Sequence, residues 1–486
     1  MKPLTAVTVW MSCAAAAHAG DLPRSAPETQ GLASSAVLAF VEAADSSVDS
    51  LHSLMIVRHG QVVAEGWWAP YDADSRHSLY SLSKSFTATA IGIAIAEGKL
   101  SLDDPVLKFF PDDAPANPSP NLQGMRISDL LRMSTGHQSE PPRTANESWA
   151  KTFLAHPVPF KPGTHFLYNT SATYMLSAII QQATGETLLD YLTPRLFQPL
   201  GIDEPTWEVS PQGVSTGGYG LSVRTGDIAR FGQLCLQNGS WEGRQLVPAE
   251  WITRATSLQT SNGSNPHSDW DQGYGYQFWR CRHDGYRGDG AFGQFCIVLP
   301  EQDAVIAITS GTADMPAVLN LVWKHLLPAF QSEPLPDDAA SQARLRERLA
   351  ALSLPPVEQT ASPATTSSRR YEFPENDSKL QAVVLEPSPD GAATTVRIIT
   401  AGTEAKLNCL PGVWTRDRIA YGQFPEQPLA ISGGWTAGNT LTIKMCFIET
   451  PFVVTLRLER EGEELRYASE TNVGFGPTKR PVLTGR

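Results

Sequence analysis

Tyr80-Ser81-Leu82-Ser83-Lys84-Ser85-Phe86-Thr87-Ala88-Thr89-Ala90-Ile91-Gly92-Ile93-Ala94-Ile95-Ala96-Glu97 is the stretch on which the fold turns. Phe86, Ala88, Ala90, Ile91, Ile93, Ala94, Ile95 and Ala96 spread around nearly every side of a 3.6-residue helix. A helix over about Ser83 to Glu97 therefore has no polar face for solvent and must be buried. Only its first turn needs to open on a cleft. Ser81 and Lys84 lie three positions apart at that end, on one face and within reach of each other. A serine hydroxyl is a weak nucleophile until a base removes its proton, and a lysine can be that base once its surroundings lower its pKa. Backbone N–H groups at a helix start also favour developing negative charge, so the amide of Ser81 is itself a candidate oxyanion donor.

Spacing alone does not single out Ser81. Ser148-Trp149-Ala150-Lys151 repeats the same Ser-x-x-Lys pattern, but among polar residues with no buried helix behind it, and reads as a surface coincidence. Gly213-Val214-Ser215-Thr216-Gly217 fits a Gly-x-Ser-x-Gly nucleophile elbow. An elbow needs a strand before it and a helix after it, whereas Pro211 precedes this one and Gly218-Tyr219-Gly220 follows, so it reads as a glycine-rich loop.

Working outward, Ser34 is expected to cap a helix over Ser35 to Ala44, and Leu54 to Val57 and Gln61 to Glu65 flank an Arg58-His59-Gly60 turn as a hairpin. Leu100 to about Trp270 is mixed and mostly helical. Strand signals return at Tyr274 to Arg280, Ala291 to Leu299 and Ala304 to Thr309, and Asp314 caps an amphipathic helix through Leu326. This order predicts an α/β (α+β) fold: an antiparallel sheet flanked by helices, with a helical subdomain beside it and a cleft between the two. Residues 331–370, with Pro334-Leu335-Pro336, Pro355-Pro356 and an Ala/Ser/Thr/Pro run, read as a linker. Residues 371–486 are strand-rich, with turns at Asp390-Gly391 and Ala437-Gly438-Asn439, and are expected to form a separate C-terminal antiparallel β domain.

The net charge of −12 argues against nucleic acid as a partner, since its binders carry basic patches, and leaves small molecules or peptides as the expected substrates. Residues 1–19 read as a secretory signal: Lys2, an apolar run, then Ala17-His18-Ala19 as the cleavage site; a lipoprotein signal at Cys13 is the alternative. The first domain is then 20–330, and the product is expected to be exported, in the periplasm of a Gram-negative cell or secreted. No later run is long enough to span a bilayer. The cysteines at 235, 281, 296, 409 and 446 match no zinc spacing and read mostly as buried small residues, with Cys409 to Cys446 the one disulfide considered. Neither a metal nor another cofactor is expected.

From about Leu32 to Leu327 the chain resembles the serine β-lactamase-related hydrolases, in particular the branch with class C β-lactamases, DD-carboxypeptidases, related esterases and aminohexanoate-oligomer hydrolases. The resemblance rests on His52-Ser53-Leu54 through Glu65-Gly66-Trp67-Trp68, on Tyr80 to Leu100 with Asp103-Asp104-Pro105, and on Ile127 to His137 and Gly220-Leu221-Ser222 to Asn238-Gly239. It implies an acyl-enzyme on Ser81, with Lys84 and Tyr168 managing the proton; Tyr168 follows the Pro162-Gly163 turn where the family has its Tyr-x-Asn motif. Here Thr170 stands in place of that Asn, so Asn169 and Thr170 are both candidates for substrate binding. The family's third motif, Lys-Thr-Gly or His-x-Gly on an edge strand, falls on Gly288-Asp289-Gly290. Only its glycine remains. Gly290 and Gln294 are candidate substrate contacts, and the Ala291 amide is the implied second oxyanion donor. The missing cation speaks against β-lactamase activity and for an esterase, amidase or peptidase. A catalytically weak or inactive binding protein on the same fold is the competing reading, motivated by the two altered motifs.

Overall fold

The computed structural model of the protein describes residues 21–362 and 367–486. The signal segment lies outside the described residues. The first part of the chain is built from α1 (Ser34–Ser47), β1 (Leu51–Arg58), β2 (Gln61–Trp67), α2 (Ser83–Ala96), α3 (Thr170–Thr184), α4 (Thr225–Leu236), β3 (Trp279–Arg280), β4 (Tyr286–Gly290), β5 (Gln294–Leu299), β6 (Ala304–Ser310) and α5 (Met315–Leu321). The strands form one sheet in the order β2-β1-β6-β5-β4-β3, antiparallel throughout.

Successive side chains of a strand point to opposite faces, and here both faces are dry. Met55, Val57, Cys296, Val298, Val305 and Ala307 join the core that holds α2 and α4. Leu54, Ile56, Phe295, Ile297, Ile306 and Ile308 join the core that holds α1 and α5. Central strands covered on both sides read as continuous apolar runs without alternation. Beside the sheet, short helices and α3 complete the helical subdomain, and α2 passes between the two parts with Phe86 stacked on Phe231 of α4 at 3.9 Å.

Several local expectations are corrected. Ser34 is the first residue of α1, not its cap; the Glu28 carboxylate accepts from its amide at 2.7 Å and from its hydroxyl at 3.0 Å. Tyr274 to Arg280 does not run as one strand, because Gln277 turns back at φ 65° to donate to the carbonyls of Leu130 and Leu131. Only Trp279–Arg280 reaches the sheet. Ala291 to Leu299 is likewise broken: β4 ends at Gly290, and Ala291, Phe292 and Gly293 form a turn before β5.

Beyond residue 368, strands between Arg369 and Cys409 form a four-stranded antiparallel sheet and strands between Thr415 and Gly485 a six-stranded one. They share a core that includes Val383, Leu385, Ile398, Trp435, Ile443 and Leu456. The described part of 331–370 is no free tether. Its helix Ala339–Ala350 packs on α1, Leu349 and Leu352 lie against Gly66 of β2, and the Val357 amide donates to Ser432 Oγ at 2.9 Å. The β sheets also dock directly on the first domain. Ser78 donates its amide to Glu449 O at 2.8 Å, Asn472 Nδ2 donates to Gly311 O at 2.8 Å, and Ile448 enters the α1 core. Cys409 and Cys446 are free and buried, as are the cysteines at 235, 281 and 296, so no disulfide joins the described residues.

Candidate active site

Ser81 sits in a single 3-10 turn, Tyr80–Leu82, that leads straight into α2. Tyr80 holds φ at +48°, a left-handed conformation that costs a bulky side chain energy and is kept only where the surroundings fix it. Lys84 is in the first turn of α2 and only 1% exposed. Its Nζ lies 3.0 Å from Ser81 Oγ, 3.3 Å from Thr170 Oγ1 and 2.7 Å from Gly218 O. Burial pulls its pKa from 10.5 down to about 7; the charges of Glu140 and Asp289 oppose that shift and Arg143 adds to it. The amine is therefore free to accept a proton near neutral pH.

Tyr168 completes the cluster. Its ring centroid lies 4.9 Å from Lys84 Nζ, and the Ser81 side chain is among the groups that act on its phenol. Burial, followed by the Asp289 charge, pushes the phenol well above its usual pKa, so it stays protonated and can donate. An aromatic wall holds the ring: Trp279 stacks on it at 5.3 Å and Tyr274 meets it edge-on. Thr170, at the start of α3, brings its hydroxyl to Lys84, a neutral contact where the resembling motif has an amide.

Strand β4 closes the site from the other side. A Cβ on Gly290 would fall 2.0 Å from Leu79 O and 3.1 Å from Ser81 N, so only glycine lets the strand lie against the serine turn. Ala291 follows directly, at the start of the turn that leads into β5. Arg287 and Asp289 alternate with these glycines and face away from α2, paired at 2.9 Å in the interior, with the guanidinium 4.6 Å from the Trp270 ring. Arg287 is thus committed to Asp289 and offers no cation at the β4 edge.

Two of the expected substrate contacts are buried and brace the backbone. Asn169 is fully buried and caps α3, accepting from the Ala172 amide at 3.1 Å. Gln294 is fully buried as well; it donates to Ala291 O at 3.1 Å and to Ser310 O at 2.7 Å, which fixes the turn carrying Ala291. Ser148 is a helix cap, accepting from the Lys151 amide at 3.3 Å, and it is far removed in role from Ser81. The glycine-rich loop is more than a false elbow. Gly217 O accepts from Thr87, Gly218 O from Lys84, and a Cβ on Gly218 would collide with Thr170 at 2.6 Å. Gly218, Asp289, Trp279 and the Glu140–Arg143 pair were not singled out from the sequence; the doubled glycine at 217–218 was the one local signal.

Residues 50–324, more than half of the chain, match the beta-lactamase family. The chain belongs to that family. A 6-aminohexanoate-dimer hydrolase of Paenarthrobacter ureafaciens is 26% identical over 54% of this chain and 73% of its own length. A D-aminopeptidase of Brucella anthropi is 31% identical over 30% of this chain, and the match takes in 31% of that relative. Among solved structures, that of SurE with D-Leu superposes with a TM-score of 0.51 at 16% identity, over 93% of this chain and 98% of the other. The likeness in fold therefore extends past the beta-lactamase-family region into the C-terminal sheets. No helix among the described residues is long and apolar enough to cross a membrane.

Proposed function

We propose that the chain is a serine hydrolase that opens linear amide or peptide bonds of small substrates through an acyl-enzyme on Ser81. The observation that carries this reading is the approach of a buried lysine amine, with its pKa near 7, to 3.0 Å from the serine hydroxyl. Two relatives named for amide-bond cleavage, the aminohexanoate-dimer hydrolase and the D-aminopeptidase, support the substrate class.

In the proposed reaction Ser81 Oγ attacks the carbonyl carbon while its proton passes to Lys84 Nζ. The amides of Ser81 and Ala291 hold the oxyanion. Collapse breaks the C–N bond, and the leaving amine takes a proton through Tyr168, which Lys84 replenishes. Water then attacks the ester carbonyl, its proton returns to Lys84, and the acid leaves with Ser81 restored. Gly290 lets substrate lie along the β4 edge, and Thr170 keeps Lys84 aimed at Ser81. With Arg287 bound to Asp289, no strand cation meets a β-lactam carboxylate, which favours linear amides and esters over β-lactams.

A panel of linear amides, D-amino-acid amides, nitrophenyl esters and β-lactams, assayed with wild type and Ser81→Ala, tests this reading. Linear amides and esters should turn over with rates falling at least about 10⁴-fold in Ser81→Ala. Activity that survives Ser81→Ala would overturn it, as would β-lactams outpacing every linear substrate.

A further inference from the structure

The second domain reaches the residues beside the reacting centre through two side chains, Phe452, whose ring lies 5.8 Å from that of Phe292, and Phe475. Phe475, between Gly474 and Gly476, lies on the loop that joins the last two strands and is 80% exposed, the largest exposure of any large apolar side chain among the described residues. An isolated exposed phenylalanine gives up much of the stabilisation that its burial would bring. The loop is nonetheless fixed. Val473 is buried, the Thr471 amide donates to Thr478 O at 2.9 Å across the loop's base, and Asn472 Nδ2 donates to Gly311 O of the first domain at 2.8 Å.

What Phe475 touches gives the exposure a purpose. Its ring lies 5.8 Å from that of Tyr80 and 4.9 Å from that of Phe292, and those two rings meet edge-on at 5.5 Å. Tyr80 directly precedes Ser81, and Phe292 directly follows Ala291. Both carry left-handed backbone conformations, at φ 48° and 68°. The residues flanking the two oxyanion donors thus form one aromatic wall, finished by a side chain from the other domain.

We propose that Tyr80, Phe292 and Phe475 form a subsite for the apolar acyl group of the substrate, and that Phe475 sets how long or bulky that group is. This rests on the acyl-enzyme reading of Ser81. The side of the scissile bond follows from the proton's path. A leaving group must take its proton on the Tyr168 side, where the buried Tyr274 and Trp279 back the Tyr168 ring. The Tyr80–Phe292–Phe475 wall shares no ring contact with that set, so the acyl substituent is the part left to meet it. Its methylenes would cover the exposed face of Phe475 and gain burial that a methyl group cannot.

The test is the ratio of kcat/KM for 4-nitrophenyl hexanoate to that for 4-nitrophenyl acetate, in wild type, Phe475→Ala, Phe475→Leu and Ser81→Ala. The ratio cancels the concentration of active enzyme, so partial misfolding does not imitate the effect. Phe475→Ala should lower it about tenfold, and Phe475→Leu should restore most of it. Ser81-dependent turnover with the same ratio in wild type and Phe475→Ala would overturn the subsite alone. Absence of ester turnover, or turnover that survives Ser81→Ala, would overturn the underlying reading and the subsite with it.

Discussion

Replacing Lys84 with Met tests the electrostatics of the site without reference to any substrate. The Met side chain keeps the length and apolar stem of Lys but carries no proton to gain or lose. In the wild type, burial holds the folded-state pKa of Lys84 near 7, against 10.5 for an ordinary lysine. Because the unfolded chain then binds this proton more tightly than the folded chain, the group costs stability below pH 7. The cost is relieved as pH rises from 7 towards 10.5. At pH 7 the folded amine is about half protonated, and at pH 9 it is almost wholly neutral while the unfolded one is still charged. At about 1.36 kcal/mol per pH unit, this one group raises wild-type stability by about 2 kcal/mol between pH 7 and 9. Lys84→Met lacks that contribution. Urea unfolding of both proteins at pH 7, 8 and 9 should show the stability difference moving by that amount in favour of the wild type. A difference constant to within about 0.5 kcal/mol would mean that Lys84 keeps an ordinary pKa, and the assignment of a neutral amine as base would fail. The same titration should appear in wild-type kcat/KM as an acid limb near pH 7, with activity rising as pH increases.

Tyr168→Phe keeps the ring against Trp279 but removes the proton donor, so kcat for amides should fall about 10²- to 10⁴-fold with KM little changed, measured by steady-state kinetics. An activated nitrophenyl ester, whose leaving group needs no proton, should lose far less. Asp289→Asn leaves the Arg287 charge without its partner in the interior and should cost about 3–5 kcal/mol in urea unfolding. It also removes a negative charge that raises the Lys84 pKa, so the acid limb of the surviving activity should move to lower pH.

The buried helix behind Ser81 was legible because its pattern admits only one environment: a helix apolar on every side has to lie inside. The hairpin β1–β2 and the α5 cap at Asp314 were legible for a similar reason, each being set by local turn or capping chemistry. Strand β4, Tyr286 to Gly290, was legible only through the resemblance, because two glycines and an ion pair take the place of an apolar run. Its glycines are demanded by Leu79 before the serine turn and by Ser85 of α2, and its charges satisfy each other out of sight of the sequence. The backbone contacts of Asn169 and Gln294 were not legible from their position along a motif. Each is next to the site in sequence, yet backbone direction turns one into a helix cap and the other into a brace for the Ala291 turn. Phe475 lies far from Ser81 along the chain, and the docking of the β sheets on the first domain, through Asn472 on Gly311 and Glu449 on Ser78, brings it to the cleft.

The central claim is that Ser81 is the acylated nucleophile, and covalent labelling with a fluorophosphonate followed by peptide mass spectrometry addresses it most directly. The account predicts one adduct, on the peptide containing Ser81, absent from Ser81→Ala and formed faster as pH rises through 7. An adduct on another residue, or equal labelling of wild type and Ser81→Ala, would contradict it.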